Sequence, residues 1–169
     1  MKLILGDITK METDAIANAA ETDLRPCAGI CQAIFRAADT EALTAACKKI
    51  GHCPIGHAVV TPSCGLPCKY IIHVAGAEWY SGREGDRELF QDCYQNVLQK
   101  AYAYRCRSVA LPLMFSGSLH IPRAEALTLA AEVIRRFEVQ CPQIEVSLVV
   151  FKQSIYDLAL RVLDPELLT

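Results

Sequence analysis

Short runs of apolar, largely β-branched residues recur along the chain at Lys2–Leu5, Ala15–Ala17, Ala58–Thr61, Tyr70–Val74, Ser108–Leu113 and Ile144–Phe151, most of them bounded by Gly, Pro or Asp. Runs of that length and composition predict strands. Between them apolar residues return at helical spacing. Gly29–Ala38 continues after a break into Glu41–Lys48. Arg87–Tyr104 carries Leu89, Phe90, Cys93, Val97, Leu98 and Ala101, and Ala124–Phe137 carries Ala126, Leu127, Ala130, Ala131, Val133 and Ile134. Ser154–Leu163 closes the series, with Ser154 as its expected N-cap. Strands apolar on both faces, alternating with helices long enough to cross a sheet, predict a three-layer α/β/α sandwich around a mixed, mainly parallel sheet. Ligands in such sheets sit beyond the carboxyl ends of the strands. That directs attention to the loops after Ala17, Thr61, Val74, Leu113 and Phe151, while Gly76–Gly85 reads as an exposed loop.

Composition narrows the picture. With 169 residues, 52% hydrophobic and 21% charged, residues 1–169 are expected to form a single domain with a substantial core, and wholesale disorder is excluded. A net charge of -2 leaves no excess of positive charge to condense onto a nucleic acid backbone, so nucleic acid is not an expected partner and an anionic ligand must be held locally. No apolar run reaches the ~18 residues of a membrane span, and the amino-terminal stretch does not read as a signal peptide. The nine cysteines are odd in number and scattered through helix and strand patterns, which predicts reduced thiols in a cytoplasm, and a domain of this size without linkers is expected to be a monomer. Cys27/Cys31 and Cys64/Cys68 share a three-residue spacing but lack the tight C-x2-C turn and a second ligand pair, so no metal site is expected. No cofactor is implied either.

Three segments could carry chemistry. Gly6-Asp7-Ile8-Thr9 follows the first strand. The Asp7 carboxylate there is either an adenine acceptor or an ordinary turn cap. From Asn18 to Ile34 a strand runs through small residues, Ala28-Gly29-Ile30-Cys31, into a helix, so backbone N–H groups and the positive end of the helix dipole can face an anion. Neither G-x-G-x-x-G nor G-x-x-x-x-G-K-[ST] is present, which disfavours a dinucleotide fold or P-loop of the familiar kinds. The third segment, Leu111 to Pro122, repeats the arrangement with Ser116, Gly117, Ser118, Leu119 and His120. Two such loops on one edge could clamp a diphosphate with backbone donors, without net protein charge.

In this order the segments resemble the macrodomain family, whose pattern runs through GDIT, V-N-A-A-N, G-G-G-V-[DA]-x-A-I, C-P-x-G-x-A-x-x-T, L-P-x-K-Y-x-I-H and P-x-[IL]-S-T-G-x-[YF]-x-[YF]-P. This chain shows Gly6–Thr9, Asn18-Ala19-Ala20, Ala28-Gly29-Ile30 with Ala33-Ile34, Cys53-Pro54-Ile55-Gly56-His57-Ala58 with Thr61, Leu66 to His73, and Pro112 with Ser116-Gly117 and Pro122. The resemblance spans residues 1–163 and implies a domain that binds ADP-ribose or ADP-ribosylated protein. By that resemblance Asp7 and Ile8 hold the adenine, Ala28, Gly29, Ile30 and Cys31 together with Ser116, Gly117, Ser118 and Leu119 offer amides to the diphosphate, and Phe151 packs on the adenine or its ribose. His120 is a candidate for phosphate or ribose contact, and His73 reads as a structural histidine.

The departures bear on catalysis. The family's second asparagine is Glu21 here, the aspartate of the glycine-rich loop is Cys31, and two loop glycines are Cys27 and Ala28. Leu119 and His120 replace the aromatic and glycine of the second loop. Glu21 adds negative charge beside an anionic ligand and cannot donate to a ribose hydroxyl. The expectation is therefore ADP-ribose binding with hydrolase activity weak, altered or absent. The alternative is an ADP-ribosyl hydrolase or O-acetyl-ADP-ribose deacetylase in which Glu21, with Asn18, or a loop-bound water performs the chemistry. Cys31 near a helix N-terminus is a possible nucleophile, although packing is the commoner role there. A third reading is a domain that has lost nucleotide binding and uses its thiol-rich surface for partners or metal.

Overall fold

A computed structural model describes residues 1–80, 83–117 and 119–168, so Ser118 lies outside the described residues, as do Ser81 and Gly82 of the expected exposed loop. Six strands form one sheet: β1 (Lys2–Leu5), β2 (Ala15–Ala20), β3 (Ala58–Pro62), β4 (Tyr70–Ala75), β5 (Ser108–Pro112) and β6 (Glu145–Val150), in the order β1-β6-β5-β2-β4-β3. Only the β3–β4 pair is antiparallel. The helices are α1 (Ile30–Ala37), α2 (Thr40–Ile50), α3 (Asp86–Ala103), α4 (Arg123–Gln140) and α5 (Gln153–Val162).

Alternation along the strands makes the three layers. Ile16, Ile71, Ala110 and Val149 pack with Cys31, Ile34 and Phe35 of α1 and Leu43 and Cys47 of α2. Their neighbours Ala15, Ala17, Ile72, Val109, Leu111 and Leu148 pack on the opposite face with Phe90, Tyr94 and Val97 of α3, Leu127, Ile134 and Phe137 of α4, and Ala159 of α5. A period of two sends successive residues to opposite faces, so the central strands are buried on both and largely apolar, with Asn18, His73 and Ser147 as buried polar residues within them. Among the described residues no helix is long and apolar enough to cross a membrane.

Several boundaries shift from the sequence expectation, and two of the shifts have a physical reason in the pairing and capping. β2 runs on from Ala17 to Ala20 because Asn18, Ala19 and Ala20 pair with His73, Val74 and Ala75 of β4, a partner that local composition does not disclose. α5 begins at Gln153 with Lys152 in the N-cap position, not Ser154, and no side chain caps it. At the amino ends of β2, β4 and β5, Asp14 accepts from Lys69 Nζ at 2.7 Å and from the Arg107 amide at 2.7 Å, and its own amide donates to Ser108 Oγ. The Lys69 contact leads the effects holding its carboxyl below the usual range. That knot fixes the end of the sheet remote from the cleft described next.

Candidate functional site

The carboxyl ends of β2, β4, β5 and β6 lie on one edge. The chain leaves β2 toward α1 on one face and leaves neighbouring β5 toward α4 on the other. Diverging connections from adjacent parallel strands open a crevice. It is a cleft of about 390 Å³, within the ~300–1,000 Å³ common for small-molecule sites. Ala19 to Glu21 and Cys27 to Ile30 form one wall, Pro112 to Gly117 with Leu119 and Arg123 the other, and Val149 to Lys152 with Ile155 the end.

The first wall is built for an anion. The amides of Ala28, Gly29 and Ile30 donate to no acceptor among the described residues. Gly29 precedes the helix at φ 68° and ψ -132°, a conformation a side chain would strain, and that turn presents the amides ahead of α1. Exposed polar N–H groups at a helix start attract negative charge.

The second wall is held from behind. Buried Tyr94 of α3 donates its hydroxyl to the Pro112 carbonyl at 2.8 Å and accepts from the Met114 amide at 2.9 Å. Burial pushes that phenol well above its ordinary pKa. The Trp79 amide donates to the Leu119 carbonyl at 2.9 Å, so the segment expected as an exposed loop is partly packed against this wall. Phe115 sits in the left-handed region at φ 67°, and its ring covers Gly76 so closely that a Cβ there would meet three ring atoms at 2.7–2.9 Å.

The expected site residues fall into three groups. Glu21, Ala28, Gly29, Ile30, Ser116, Gly117, Leu119 and Phe151 line the cleft, and the Phe151 side chain is 76% exposed. Asn18 and Cys31 are fully buried behind it. The Asn18 Nδ2 donates to His73 Nδ1 at 3.0 Å and toward Cys31 Sγ at 3.8 Å, and its Oδ1 is buried without a partner among the described residues. His73 Nε2 lies 2.9 Å from Thr61 Oγ1. Burial alone lowers the His73 pKa to about 4, so the ring is neutral, accepts at Nδ1 and donates from Nε2. Asn18 thus braces the loop and does not reach the cleft. Asp7, Ile8 and His120 make up the third group, outside the described lining. Asp7 Oδ1 accepts from both Thr9 N and Thr9 Oγ1, capping a 3-10 turn at Ile8–Lys10, and Ile8 is buried. His120 is exposed at φ 63°. Ser118 cannot be placed, as it lies outside the described residues.

Sequence reasoning passed over Arg123, Lys152, Phe115 and Gly76, all of which line the cleft. Arg123 opens α4 directly after Pro122, and a cation one residue inside a loop-to-helix junction was the available signal.

The cysteine pair is electrostatically unusual. The Cys27 amide donates to Cys31 Sγ at 3.4 Å, the Cys31 thiol points to the Arg25 carbonyl at 3.9 Å, and Asn18 adds its amide. The Cys27 thiol beside it, followed by these amides, holds the Cys31 pKa below the ordinary thiol value despite burial, and the same contact pushes Cys27 up. No group of three or more His, Cys, Asp or Glu able to hold a metal occurs among the described residues.

The macro domain family model matches residues 17–130. The chain belongs to the macro domain family. A macro domain-containing protein of Lactiplantibacillus plantarum is 42% identical over 135 residues, which cover 80% of this chain and 78% of the relative. The O-acetyl-ADP-ribose deacetylase of Klebsiella pneumoniae is 41% identical over 140 residues, 80% of this chain and 79% of the relative. The Oceanobacillus iheyensis macrodomain with ADP superimposes with a TM-score of 0.89 at 30% identity, covering 94% of this chain and 87% of that one. This macro domain therefore has the mixed-sheet α/β/α architecture of the family, with a cleft at the carboxyl edge of its sheet.

Proposed function

We propose that this macro domain binds ADP-ribose or ADP-ribosylated protein, with hydrolase activity weak, altered or absent. The observation that carries the proposal is that Ala28, Gly29 and Ile30, whose amides donate to no acceptor among the described residues, line a cleft whose other wall ends in Arg123. A diphosphate seated between the walls takes its donors from main chain and its countercharge from Arg123 and Lys152, which explains how a chain of net charge -2 holds a dianion. Exposed Phe151 at the end of β6 offers a flat apolar face to the adenine or its ribose. Asp7 lies beside that end, because the Gly6 amide donates to the Val150 carbonyl. Glu21 sits at the opposite wall, and the distal ribose reaches toward it.

Calorimetric titration with ADP-ribose is the test. At a concentration ~100-fold above its dissociation constant the ligand should stabilise the fold by about 2.7 kcal/mol, so no heat and no rise in melting temperature at millimolar ADP-ribose refutes the proposal.

A second reading, O-acetyl-ADP-ribose deacetylase or ADP-ribosyl hydrolase, is favoured by the name of the Klebsiella relative and by the place of Glu21 in the cleft. There the Glu21 carboxylate or a loop-bound water would serve the ester or the anomeric carbon. Turnover that survives Glu21→Gln removes Glu21 from that chemistry. We further propose one monomeric domain over residues 1–169 and a cytoplasmic location, the location supported by the nine free thiols. Gel filtration that returns a dimer would refute the monomer.

A further inference from the structure

We infer that Cys27 and Cys31 form an oxidisable pair whose disulfide closes across Ala28, Gly29 and Ile30 and weakens binding of the diphosphate. This rests on the proposed ADP-ribose site, and it adds regulation of that site by oxidant. The geometry sets the pair apart from the other thiols. Cys27 lines the cleft and is partly exposed, its amide already donates to Cys31 Sγ at 3.4 Å, and Cys31 is buried directly behind it. The residues between them are Ala28, Gly29 and Ile30, whose amides donate to no acceptor among the described residues. Elsewhere burial works in the opposite direction: Cys47 and Cys68 are pushed up to about 11 and Cys93 to about 12, where thiols are inert.

A hydroperoxide such as hydrogen peroxide supplies the oxidising equivalents. Cys31 is the more acidic sulfur of the pair, so the thiolate sits on Cys31 Sγ, where the Cys27 amide donates to it, and peroxide approaches from the cleft past partly exposed Cys27. That thiolate attacks a peroxide oxygen and the O–O bond breaks, giving a Cys31 sulfenic acid and hydroxide, which takes up the released proton as water. Cys27 sulfur then attacks the sulfenic sulfur. The S–O bond breaks, the S–S bond forms, and the hydroxyl leaves with the Cys27 proton as a second water. Two thiols are oxidised by two electrons and one peroxide is reduced to two waters. A disulfide brings its sulfurs to ~2.05 Å and its Cβ atoms to ~3.8 Å. Cys27 can no longer donate its amide to a Cys31 thiolate, and the Ala28–Ile30 peptides turn from their present aim.

The test uses the whole reduced chain, treated with a limiting amount of hydrogen peroxide at neutral pH, alkylated, and mapped by peptide mass, with ADP-ribose titrations before treatment, after it, and after dithiothreitol. The expected result is loss of two of the nine thiols together, a linked peptide joining Cys27 to Cys31, and a dissociation constant raised at least tenfold and restored by reductant. Affinity in Cys27→Ser should not respond to peroxide. Alkylatable Cys27 and Cys31 after other cysteines have been oxidised would overturn the pairing. An unchanged dissociation constant in the linked protein would overturn the regulation. Reduced protein that fails to bind ADP-ribose counts against the proposed function alone, since the mass map reads the disulfide without ligand.

Discussion

Acid should unfold this protein through His73. The ring is 1% exposed, donates to Thr61 and accepts from Asn18, and its pKa falls from 6.5 to about 4 through burial. The unfolded chain therefore binds a proton between those values while the native chain does not. Stability is complete above pH ~6.5 and is lost as pH falls toward ~4, at ~1.36 kcal/mol per unit, so about 2 kcal/mol is gone by pH 5 and about 3 at the limit. Protonation also places a hydrogen on the Nδ1 that now accepts from Asn18 Nδ2. The control is His73→Gln, whose amide can still accept from Asn18 and donate to Thr61 but carries no titrating proton. It loses stability through imperfect packing, by an amount independent of pH. Thermal unfolding of both proteins between pH 7.5 and 4.5 cancels the remaining carboxylates by subtraction. For a domain of this size ~2 kcal/mol corresponds to about 4–8 °C, so the natural protein should lose that much more between pH 7.5 and 5 than the variant. Parallel curves would refute the reasoning and would mean that His73 is hydrated or already charged in the native state.

Gly76→Ala puts a methyl group 2.7–2.9 Å from the Phe115 ring, and overpacking of this kind costs ~1–3 kcal/mol; chemical denaturation checks it, and Phe115→Leu in the same chain should recover part of the loss. Glu21→Gln removes a carboxylate from the cleft wall and should tighten ADP-ribose ~2–5-fold at low salt, an effect that shrinks as salt screens it; calorimetry at two ionic strengths reads it. Asp7→Asn keeps a capping oxygen for Thr9, so stability should move by less than ~0.5 kcal/mol, while loss of the carboxylate beside the adenine end should raise the ADP-ribose dissociation constant about tenfold if that group reads the exocyclic amine. Equal affinity in that variant would leave Asp7 as a cap only.

Periodicity alone carried the architecture because burial on both faces of a sheet demands strands like Tyr70–Ala75 and helices like Arg123–Gln140, and those demands are written residue by residue in hydrophobicity. The order of motifs, Gly6–Thr9 through Ser116-Gly117, likewise placed the chain in its family before any coordinate did. Which side chains reach the cleft could not be read that way. Asn18 and Glu21 are three residues apart, yet one is buried against His73 and the other lines the cavity, because β2 continues to Ala20 only through its pairing with β4. Arg123 and Lys152 stand far apart in sequence and meet the same cleft because β5 and β6 are adjacent parallel strands ending on one edge. The sequence marks Cys31 only as a thiol near a helix N-terminus, and it is the turn at Gly29 that brings the Cys27 amide onto its sulfur. Hydrophobic pattern is a property of single positions and survives in the sequence, whereas the aim of a side chain or an amide is set by partners distant along the chain, and only their assembly decides it.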